Sequence, residues 1–227
     1  DTCRDVCLIQ SGRAIFSKAI MDCRIRRHKA FIYDRPIFMR YCVSQVIRHY
    51  AKNRAYSKTS FRFNGTSDWH ILRMPITITK SDSEYILKAY KVYIEPVKYT
   101  NIIECLKNAL DTKLNQSVGE KLYMYDYTKR PITDSDLKLA KKLNYHLTLS
   151  HGSKVDLLSI ALKLKLNYAC SFLLDKNEEL PKTFEYQGKV FEVLDGDKTD
   201  FRVLDKSDKT YILGLKHKRT KNQDIDK

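Results

Sequence analysis

Residues 122–173 read LYMYDYTKRPITDSDLKLAKKLNYHLTLSHGSKVDLLSIALKLKLNYACSFL, and this stretch decides the fold. Three short runs rich in aromatic and apolar side chains read as strands, and two amphipathic segments between them read as helices. In chain order these elements are 122–125, 133–143, 145–149, 155–166 and 168–173. Strands that alternate with helices of this length favour right-handed crossovers and a largely parallel sheet.

The pattern continues toward the N-terminus. A helix at 100–111 precedes the first of these strands, and a further strand is predicted at 61–64. The residues between them, 69–100, are less regular and are interpreted as an insertion. Within it, Ile76–Thr79 could be a short strand and 84–92 a helix.

Two amphipathic helices are predicted before the first strand, at 13–31 and 34–53. Asp34 and the early-helix Pro36 mark the start of the second helix. Toward the C-terminus the alternation of strands and helices ends, and short β segments are predicted at 189–193, 201–204 and 210–215.

We therefore predict a single α/β domain over residues 1–217, followed by a flexible tail at 218–227. Its mostly parallel strand–helix repeats should form an incomplete, (β/α)-barrel-like sheet. The domain would carry a basic helical segment, 1–58, at its N-terminus and a β-rich tail at its C-terminus.

Charge is the strongest compositional feature, since 42 Lys and Arg face 27 Asp and Glu, for a net charge of +15. Residues 1–60 alone hold thirteen basic residues, mostly Arg, against four Asp. Such an excess favours contact with nucleic acid or a nucleotide, because phosphates neutralised by the protein release counterions. An acidic protein partner, or a Lys-rich AT-biased genome, are the alternatives. The candidate nucleic-acid contacts are Arg24, Arg26, Arg27, Arg40 and Arg48.

The chain contains no apolar run long enough to span a membrane, and its first residues lack the apolar core of a secretory signal. We therefore expect no membrane partner. Cys42, Cys105 and Cys170 lie among apolar neighbours, which is typical of free thiols in a reducing compartment. Cys3 and Cys7 are a weak metal motif, because two thiolates need further ligands to hold Zn²⁺ or an iron–sulfur cluster.

Each predicted strand ends in a polar cluster, and in parallel α/β folds ligands bind beyond the carboxyl ends of the strands. Asp126, beside Lys129 and Arg130, is expected to be held ionised if it is buried. The candidate catalytic residues are Asp68, Asp126 and Lys129. The candidate substrate-binding residues are Asn64, Thr66, Arg130, Ser150 and Lys216. Ordinary turn formation at separate places is the alternative.

A further acidic cluster is Asp195, Asp197 and Asp200, which could hold Mg²⁺ or Mn²⁺ through carboxylate oxygens. A solvated β-turn is the competing interpretation. The sequence contains no Walker loop, no glycine-rich dinucleotide motif and no nucleophile elbow. His146 lies in an apolar run, which favours a role in the core or behind a site. Trp69 is either a pocket wall or a core anchor.

Several of these motifs occur in a fixed order that resembles a family of bacteriophage proteins. In this sequence they are Cys3 and Cys7 with Ser11–Gly12–Arg13, then Arg62 to Asp68, Tyr125 to Arg130, Tyr145 to Ser150, Asp195 to Asp200, and Gly214–Leu215–Lys216. The resemblance covers nearly the whole chain except 69–100. It implies a viral origin and a barrel-like βα fold, but no established activity.

That family is loosely labelled replication-associated, a label that usually implies a His-hydrophobic-His metal motif, and this sequence has no such pair. Family members also usually carry a further upstream Cys. The resemblance places the protein in the cytoplasm of the infected bacterium, with association with the virion as the alternative.

Three functional hypotheses remain open. The first is a rim site that acts on or binds a phosphate-bearing substrate, a nucleotide or nucleic acid. The second is a non-catalytic scaffold or structural protein associated with DNA or a phage complex. The third is an enzyme that uses a cluster at Cys3 and Cys7.

Overall fold

A computed structural model describes residues 17–53, 59–65, 67–111, 122–175 and 177–217. The predictions for Cys3, Cys7, Ser11 to Arg13, Thr66 and the tail 218–227 lie outside these residues. Within them the helices and strands, in chain order, are α1 (Lys18–Tyr33), α2 (Arg35–Lys52), β1 (Thr59–Arg62), β2 (Ile76–Thr77), α3 (Lys80–Tyr90), β3 (Lys98–Tyr99), α4 (Ile102–Asp111), β4 (Leu122–Thr128), α5 (Asp134–Lys142), β5 (Tyr145–Ser150), α6 (Leu157–Leu164), β6 (Tyr168–Phe172), β7 (Thr183–Tyr186), β8 (Lys189–Asp195) and β9 (Ile212–Lys216).

Seven of these strands form one sheet in the order β1-β4-β5-β6-β9-β8-β7. Every pairing in it is parallel except the β7–β8 hairpin. The four strands predicted to be parallel neighbours, β1, β4, β5 and β6, lie side by side in chain order. The α/β class with mostly parallel strands is therefore confirmed. The sheet is open, however, and is not a closed barrel.

Local sequence explains how the repeat after β4 is built. The Thr133 side chain accepts a hydrogen bond from the backbone N–H of Asp136, whose carboxylate accepts from the Thr133 N–H in return. This capping box starts α5. Asn144 then adopts a φ of 53°, which asparagine tolerates better than most residues, and leads the chain directly into β5. Thr79 and Asp82 start α3 with the same capping box.

Apolar packing joins the helices to a single face of the sheet. One hydrophobic cluster includes Met124 and Tyr145, and a second includes Leu149, Tyr168 and Ile212. The strand register puts these five residues on one face, because Met124 pairs with Tyr145, Leu149 with Tyr168, and Tyr168 with Ile212. Both α5 and α6 pack on this helix-covered face. The opposite face is called here the helix-free face, because the described helices that pack on these strands, α5 and α6, lie on the other side.

The β-rich tail is confirmed at β8 and β9 but not at 201–204, where a strand was predicted and Arg202–Leu204 form a 3₁₀ turn. That prediction was wrong because the apolar side chains there do not alternate on a sheet. The Phe201 ring instead packs edge-to-face on Tyr123, with the ring centroids 5.5 Å apart. The segment 196–211 thus crosses the helix-free face between β8 and β9.

The two N-terminal helices pack on the rest of the domain through α2. Its buried residues are Met39, Val43, Val46, Ile47 and Tyr50, whereas α1 buries only Phe31 among its described residues. Trp69 stacks on Phe31 with the ring centroids 3.6 Å apart and the planes 9° apart. Residues 69–100 include the small β2–β3 sheet and α3, both packed against α2.

Candidate active site at the carboxyl ends of β1 and β4

Parallel pairing brings the carboxyl ends of β1 and β4 together, and Asn64 and Asp126 meet there. The backbone N–H of Asn64 donates to Oδ1 of Asp126 over 2.6 Å. The hydroxyl of Tyr145, on the neighbouring β5, donates to Oδ2 over 2.6 Å. Arg62 Nε lies 4.0 Å from Oδ1, which is the outer limit of an ion pair. Asp126 is therefore a buried carboxyl, only 1% exposed, held mainly by uncharged donors.

The expectation that Asp126 is held ionised is wrong in direction. Burial is the largest influence and raises the pKa of Asp126 to about 7, although the hydrogen bonds from Tyr145 and Asn64 and the charge of Arg62 lower it. Sequence proximity to Lys129 and Arg130 suggested charge neutralisation, but the basic residue that lowers the pKa of this carboxyl is Arg62, and burial outweighs it. A carboxyl that titrates near neutrality can accept or donate a proton under physiological conditions.

The loop after β1 is organised by the side chain of Asn64. Its Oδ1 accepts from the Trp69 backbone N–H over 3.0 Å and from the Ser67 hydroxyl over 2.9 Å, and its Nδ2 donates to the Trp69 carbonyl over 3.0 Å. An asparagine that bonds to backbone groups a few residues on is a typical turn former. Asn64 therefore shapes the loop beside Asp126, and these hydrogen bonds of its side-chain amide all lie within that loop.

The carboxylate of Asp68 connects this loop to the end of β4 through hydrogen bonds. Its Oδ1 accepts from the Thr128 hydroxyl over 2.7 Å and its Oδ2 from the Lys129 backbone N–H over 2.9 Å. Arg130 Nε donates to the Asp68 carbonyl and lies 3.9 Å from Oδ1. Both carboxylate oxygens of Asp68 are thus engaged, which favours a positioning role over the catalytic role predicted from sequence.

A small cleft of about 30 Å³ opens beside Asp126 on the helix-covered face. Its lining residues are Asn64, Trp69 to Leu72, Asp126, Thr128, Arg130 to Ile132, Asp136, Tyr145 and Leu147. This volume accommodates about two water molecules, so a ligand would insert one group here rather than lie inside it. Three of the candidate residues, Asn64, Asp126 and Arg130, are brought together in this cleft. Trp69 serves both as its wall and as a core anchor.

Sequence reasoning missed Asp136, the second buried carboxyl of the cleft. The Arg73 guanidinium donates two hydrogen bonds to its carboxylate, from Nε to Oδ1 over 3.0 Å and from Nη2 to Oδ2 over 2.9 Å. Burial opposes the charged form, but the hydrogen bonds from Arg73 and Thr133 outweigh it, so the pKa of Asp136 is lowered. The capping-box spacing from Thr133 could have identified Asp136, but nothing local indicated Arg73.

Two other candidates, Ser150 and Lys216, lie elsewhere along the same edge of the sheet. Ser150 ends β5 and pairs with Ala169 of β6. Lys216 ends β9, where its backbone N–H donates to Asp197 Oδ2 over 2.7 Å and its Nζ donates to the Glu178 carbonyl over 2.8 Å. Because β9 is three strands from β4 and neighbouring strands lie about 4.8 Å apart, roughly 14 Å of sheet separates Lys216 from Asp126. One small ligand does not reach both.

The predicted metal ligands do not converge in this structure. Asp197 donates its backbone N–H to Asp195 Oδ1 over 2.9 Å, a contact within a turn, and Asp200 lies further along the exposed loop. Among the described residues, no three His, Cys, Asp or Glu side chains are grouped so that they could hold a metal ion. A divalent metal at these aspartates stays a prediction without support from this geometry, and the thiols of Cys3 and Cys7 lie outside the described residues.

The five candidate nucleic-acid contacts are divided between the two N-terminal helices. Arg24, Arg26 and Arg27 lie on α1, and Arg40 and Arg48 lie on α2. Arg40 is already paired with Asp82 of α3 at 3.1 Å. No helix in the described part of the chain is both long enough and apolar enough to cross a membrane.

The fold and the site define an α/β protein with an open, mostly parallel sheet and a polar site where two neighbouring strands end. A comparison with family models finds a match: residues 116–227 match the family described as Gene product 88, a phage gene product family. This match confirms the resemblance to bacteriophage proteins and covers just under half of the chain, the part that carries β4 to β9. No curated protein and no solved structure matches the chain.

Proposed function

We propose that this phage protein binds a phosphate-bearing ligand, a nucleotide or nucleic acid, at the carboxyl ends of β1 and β4. In this proposal Asp126 exchanges a proton with the ligand. The observation that carries it is the buried Asp126 carboxyl, which lines an open cleft and has its pKa raised to about 7 by burial. A group with a strongly shifted pKa in a cleft is typical of a functional site.

Positive charge beside Asp126 supports an anionic ligand. Arg130 lines the cleft, its side chain is 52% exposed, and Arg62 lies next to the carboxyl on the other side. Guanidinium groups bind phosphate oxygens through two parallel hydrogen bonds. The small volume of the cleft means that one oxygen or amino group of the ligand enters it, while the phosphate stays at the edge with the arginines.

The single tryptophan of the chain offers a direct test, because Trp69 lines the cleft. Titration with AMP or with inorganic phosphate should change Trp69 fluorescence, and Arg130→Gln should weaken binding about tenfold or more through loss of a charged contact. Lys138→Gln removes the same charge from an exposed position of α5 and should leave binding unchanged. Equal affinities for the two variants, or no binding by the wild type at low salt, would refute the proposal.

Proton exchange by Asp126 is tested separately, by following Trp69 fluorescence against pH. Trp69 fluorescence should titrate with a midpoint near pH 7 in the wild-type protein, and Asp126→Asn should abolish that step. His70 also lines the cleft, so the titration is repeated in His70→Asn, where the step should persist. A midpoint that disappears with His70 instead of Asp126 would assign the titration to the imidazole.

A second candidate function, nucleic-acid association without catalysis, is favoured by a surface made of α2 and α3. Tyr41, Arg48 and Lys52 are exposed and spaced along α2, and Arg48 lies beside Tyr85 of α3. Tyr85 is 58% exposed and packs edge-to-face with Tyr90, with the ring centroids 6.0 Å apart. Basic groups with exposed aromatic rings are what single-stranded nucleic acid binders use, the rings for base stacking.

Binding of a fluorescent single-stranded oligonucleotide separates this surface from the charge of α1. Tyr85→Ala should weaken binding roughly tenfold through loss of stacking, whereas replacing Arg24, Arg26 and Arg27 by Gln should flatten the salt dependence. Leu87→Ala removes another exposed apolar side chain of α3 and serves as the control. Salt-independent binding, or none, would remove nucleic acid from the partners and leave an acidic protein. Either activity would be exerted in the infected bacterium.

A further inference from the structure

His70 is a second titratable side chain in the cleft beside Asp126, and the proton exchange proposed above does not use it. Its Nε2 lies 3.7 Å from Oδ1 of Asp136, and 27% of its side chain is exposed. Only 1% of the Asp126 side chain is exposed, so His70 is the more accessible of the two. An imidazole can accept or donate a proton near neutral pH. The cleft therefore holds two groups capable of proton transfer, one deeply buried and one open to solvent.

Hydrogen bonds fix the position of His70 relative to Asp126. Asn64 donates its backbone N–H to Asp126, and its side chain bonds both backbone groups of Trp69. Trp69 is the residue directly before His70. On the other side, the backbone N–H of Arg73 donates to the His70 carbonyl over 2.9 Å, within a 3₁₀ turn. The chain is thus held by hydrogen bonds both before and after His70.

Asp136 supplies the negative charge that faces His70. Burial raises the pKa of Asp136, but the hydrogen bonds from Arg73 and Thr133 and the charge of a protonated His70 together lower it. Asp136 is therefore ionised, and an imidazolium at His70 forms an ion pair with it. A carboxylate in this place orients the imidazole and balances its charge when it is protonated. Because Nε2 faces Asp136, Nδ1 is the ring nitrogen that would meet a ligand.

The size of the cleft gives the two groups different roles. A volume of about 30 Å³ holds one ligand oxygen and one water molecule, so a water is the partner that fits beside the buried Asp126. A pKa of about 7 leaves part of Asp126 ionised at neutral pH, and this carboxylate can take a proton from the water. His70 is open to solvent, where a departing group can leave. A base for the water and an acid for the leaving oxygen are what ester hydrolysis requires.

We propose that this cleft hydrolyses a phosphoric ester, with Asp126 as the general base and His70 as the general acid. The oxygen of a water molecule bonds to phosphorus while the bond from phosphorus to the ester oxygen breaks. One proton of the water passes to Asp126, and the proton on Nδ1 of His70 passes to the departing alkoxide, which leaves as an alcohol. Exchange with solvent then restores both residues. This inference rests on the proposed function, in which Arg130 holds the phosphate at the edge of the cleft.

Two substrates with different leaving groups test the role of His70. AMP releases an alkoxide that needs a proton, whereas p-nitrophenyl phosphate releases a stable phenolate that does not. His70→Asn should therefore lower kcat for AMP roughly 100-fold or more and leave kcat for p-nitrophenyl phosphate nearly unchanged. Asp126→Asn should lower both rates alike, because both substrates need the activated water. His28→Asn removes an exposed imidazole of α1 and is the control, with no expected change.

Equal losses on the two substrates in His70→Asn would overturn the assignment of His70 as the acid. AMP binding seen in Trp69 fluorescence, without release of phosphate from either substrate, would overturn this inference and leave the proposed function standing. Absence of AMP and phosphate binding by the wild type would overturn both. A dinucleotide with one internal phosphodiester identifies the source of the ester. Faster hydrolysis of the dinucleotide assigns the site to nucleic acid, and faster hydrolysis of AMP assigns it to a free nucleotide.

Discussion

The surroundings of Asp126 and of Asp136 differ instructively, although both carboxyls are buried in one cleft. Asp126 is bonded by a tyrosine hydroxyl and a backbone N–H, and burial raises its pKa to about 7. Asp136 is also buried, but less deeply, at 5% exposure against 1% for Asp126. The two-pronged bond from Arg73 keeps its pKa below the ordinary value. The depth of burial and the surrounding donors together decide whether a carboxyl becomes a proton-exchanging group or a structural anchor.

The largest expected effect is the dependence of stability on pH through Asp126. Its pKa in the folded protein is raised from an ordinary value of 3.8 to about 7, so its stabilising contribution is present below about pH 4 and is lost as pH rises through 7. The upper bound on this loss is roughly 4 kcal/mol. Asp126→Asn does not titrate, so its free energy of unfolding relative to the wild type should increase across this window.

Urea unfolding at a series of pH values measures this difference. Asp134→Asn, which changes an exposed carboxyl at the start of α5, is the control. A pH-independent difference between Asp126→Asn and the wild type would show that burial does not raise the pKa of Asp126, and its contrast with Asp136 would fail.

A smaller effect is expected when the structural anchor is removed. Asp136→Ala breaks the Arg73 pair and the capping box together, and should lower the free energy of unfolding by about 2–3 kcal/mol. Asp82→Ala is the matched control, because Asp82 also closes a capping box and also pairs with an arginine, Arg40, but is more exposed. Its cost should be about 1 kcal/mol. Equal losses would mean that burial contributes nothing to the Arg73 pair.

The smallest effect concerns the Tyr145 hydroxyl, the strongest opposing influence on the pKa of Asp126. Tyr145→Phe should shift the pKa of Asp126 upward and cost about 1 kcal/mol of stability at neutral pH. Carboxyl-labelled Asp followed by NMR reports the titration. Tyr168→Phe removes the hydroxyl of another buried strand tyrosine, which bonds to His151, and should leave Asp126 unchanged. A downward shift in Tyr145→Phe would contradict the assigned hydrogen bond.

The predicted strands of the central repeats were confirmed because they depend on local patterns. Amphipathic helices and short apolar runs sufficed for β4, β5 and β6, and the rule that parallel strands end at one edge brought Asn64 to Asp126. The same rule fixes an edge but not the order of strands along it. Lys216 was therefore grouped with Asp126 although β9 lies three strands away.

Errors elsewhere arose from contacts that are remote in sequence. The ionisation of Asp126 depends on burial, which no local pattern shows, and Arg73 reaches Asp136 across 63 residues. The segment 201–204 resembled a strand because it is a short, mostly apolar run between turn-forming residues. In fact it is a 3₁₀ turn, and its Phe201 packs on Tyr123 of β4.

The position of β9 has a consequence for how the chain matures on the ribosome. β9 is the last of the described strands to be synthesised, yet it lies between β6 and β8 and pairs with both. Until residue 216 has been made, the nascent chain holds two separate pieces, the β1-β4-β5-β6 sheet and the β7–β8 hairpin, each with an unpaired edge. Such edges favour aggregation during synthesis. Insertion of β9 closes both at once, so the sheet is completed in a single late event.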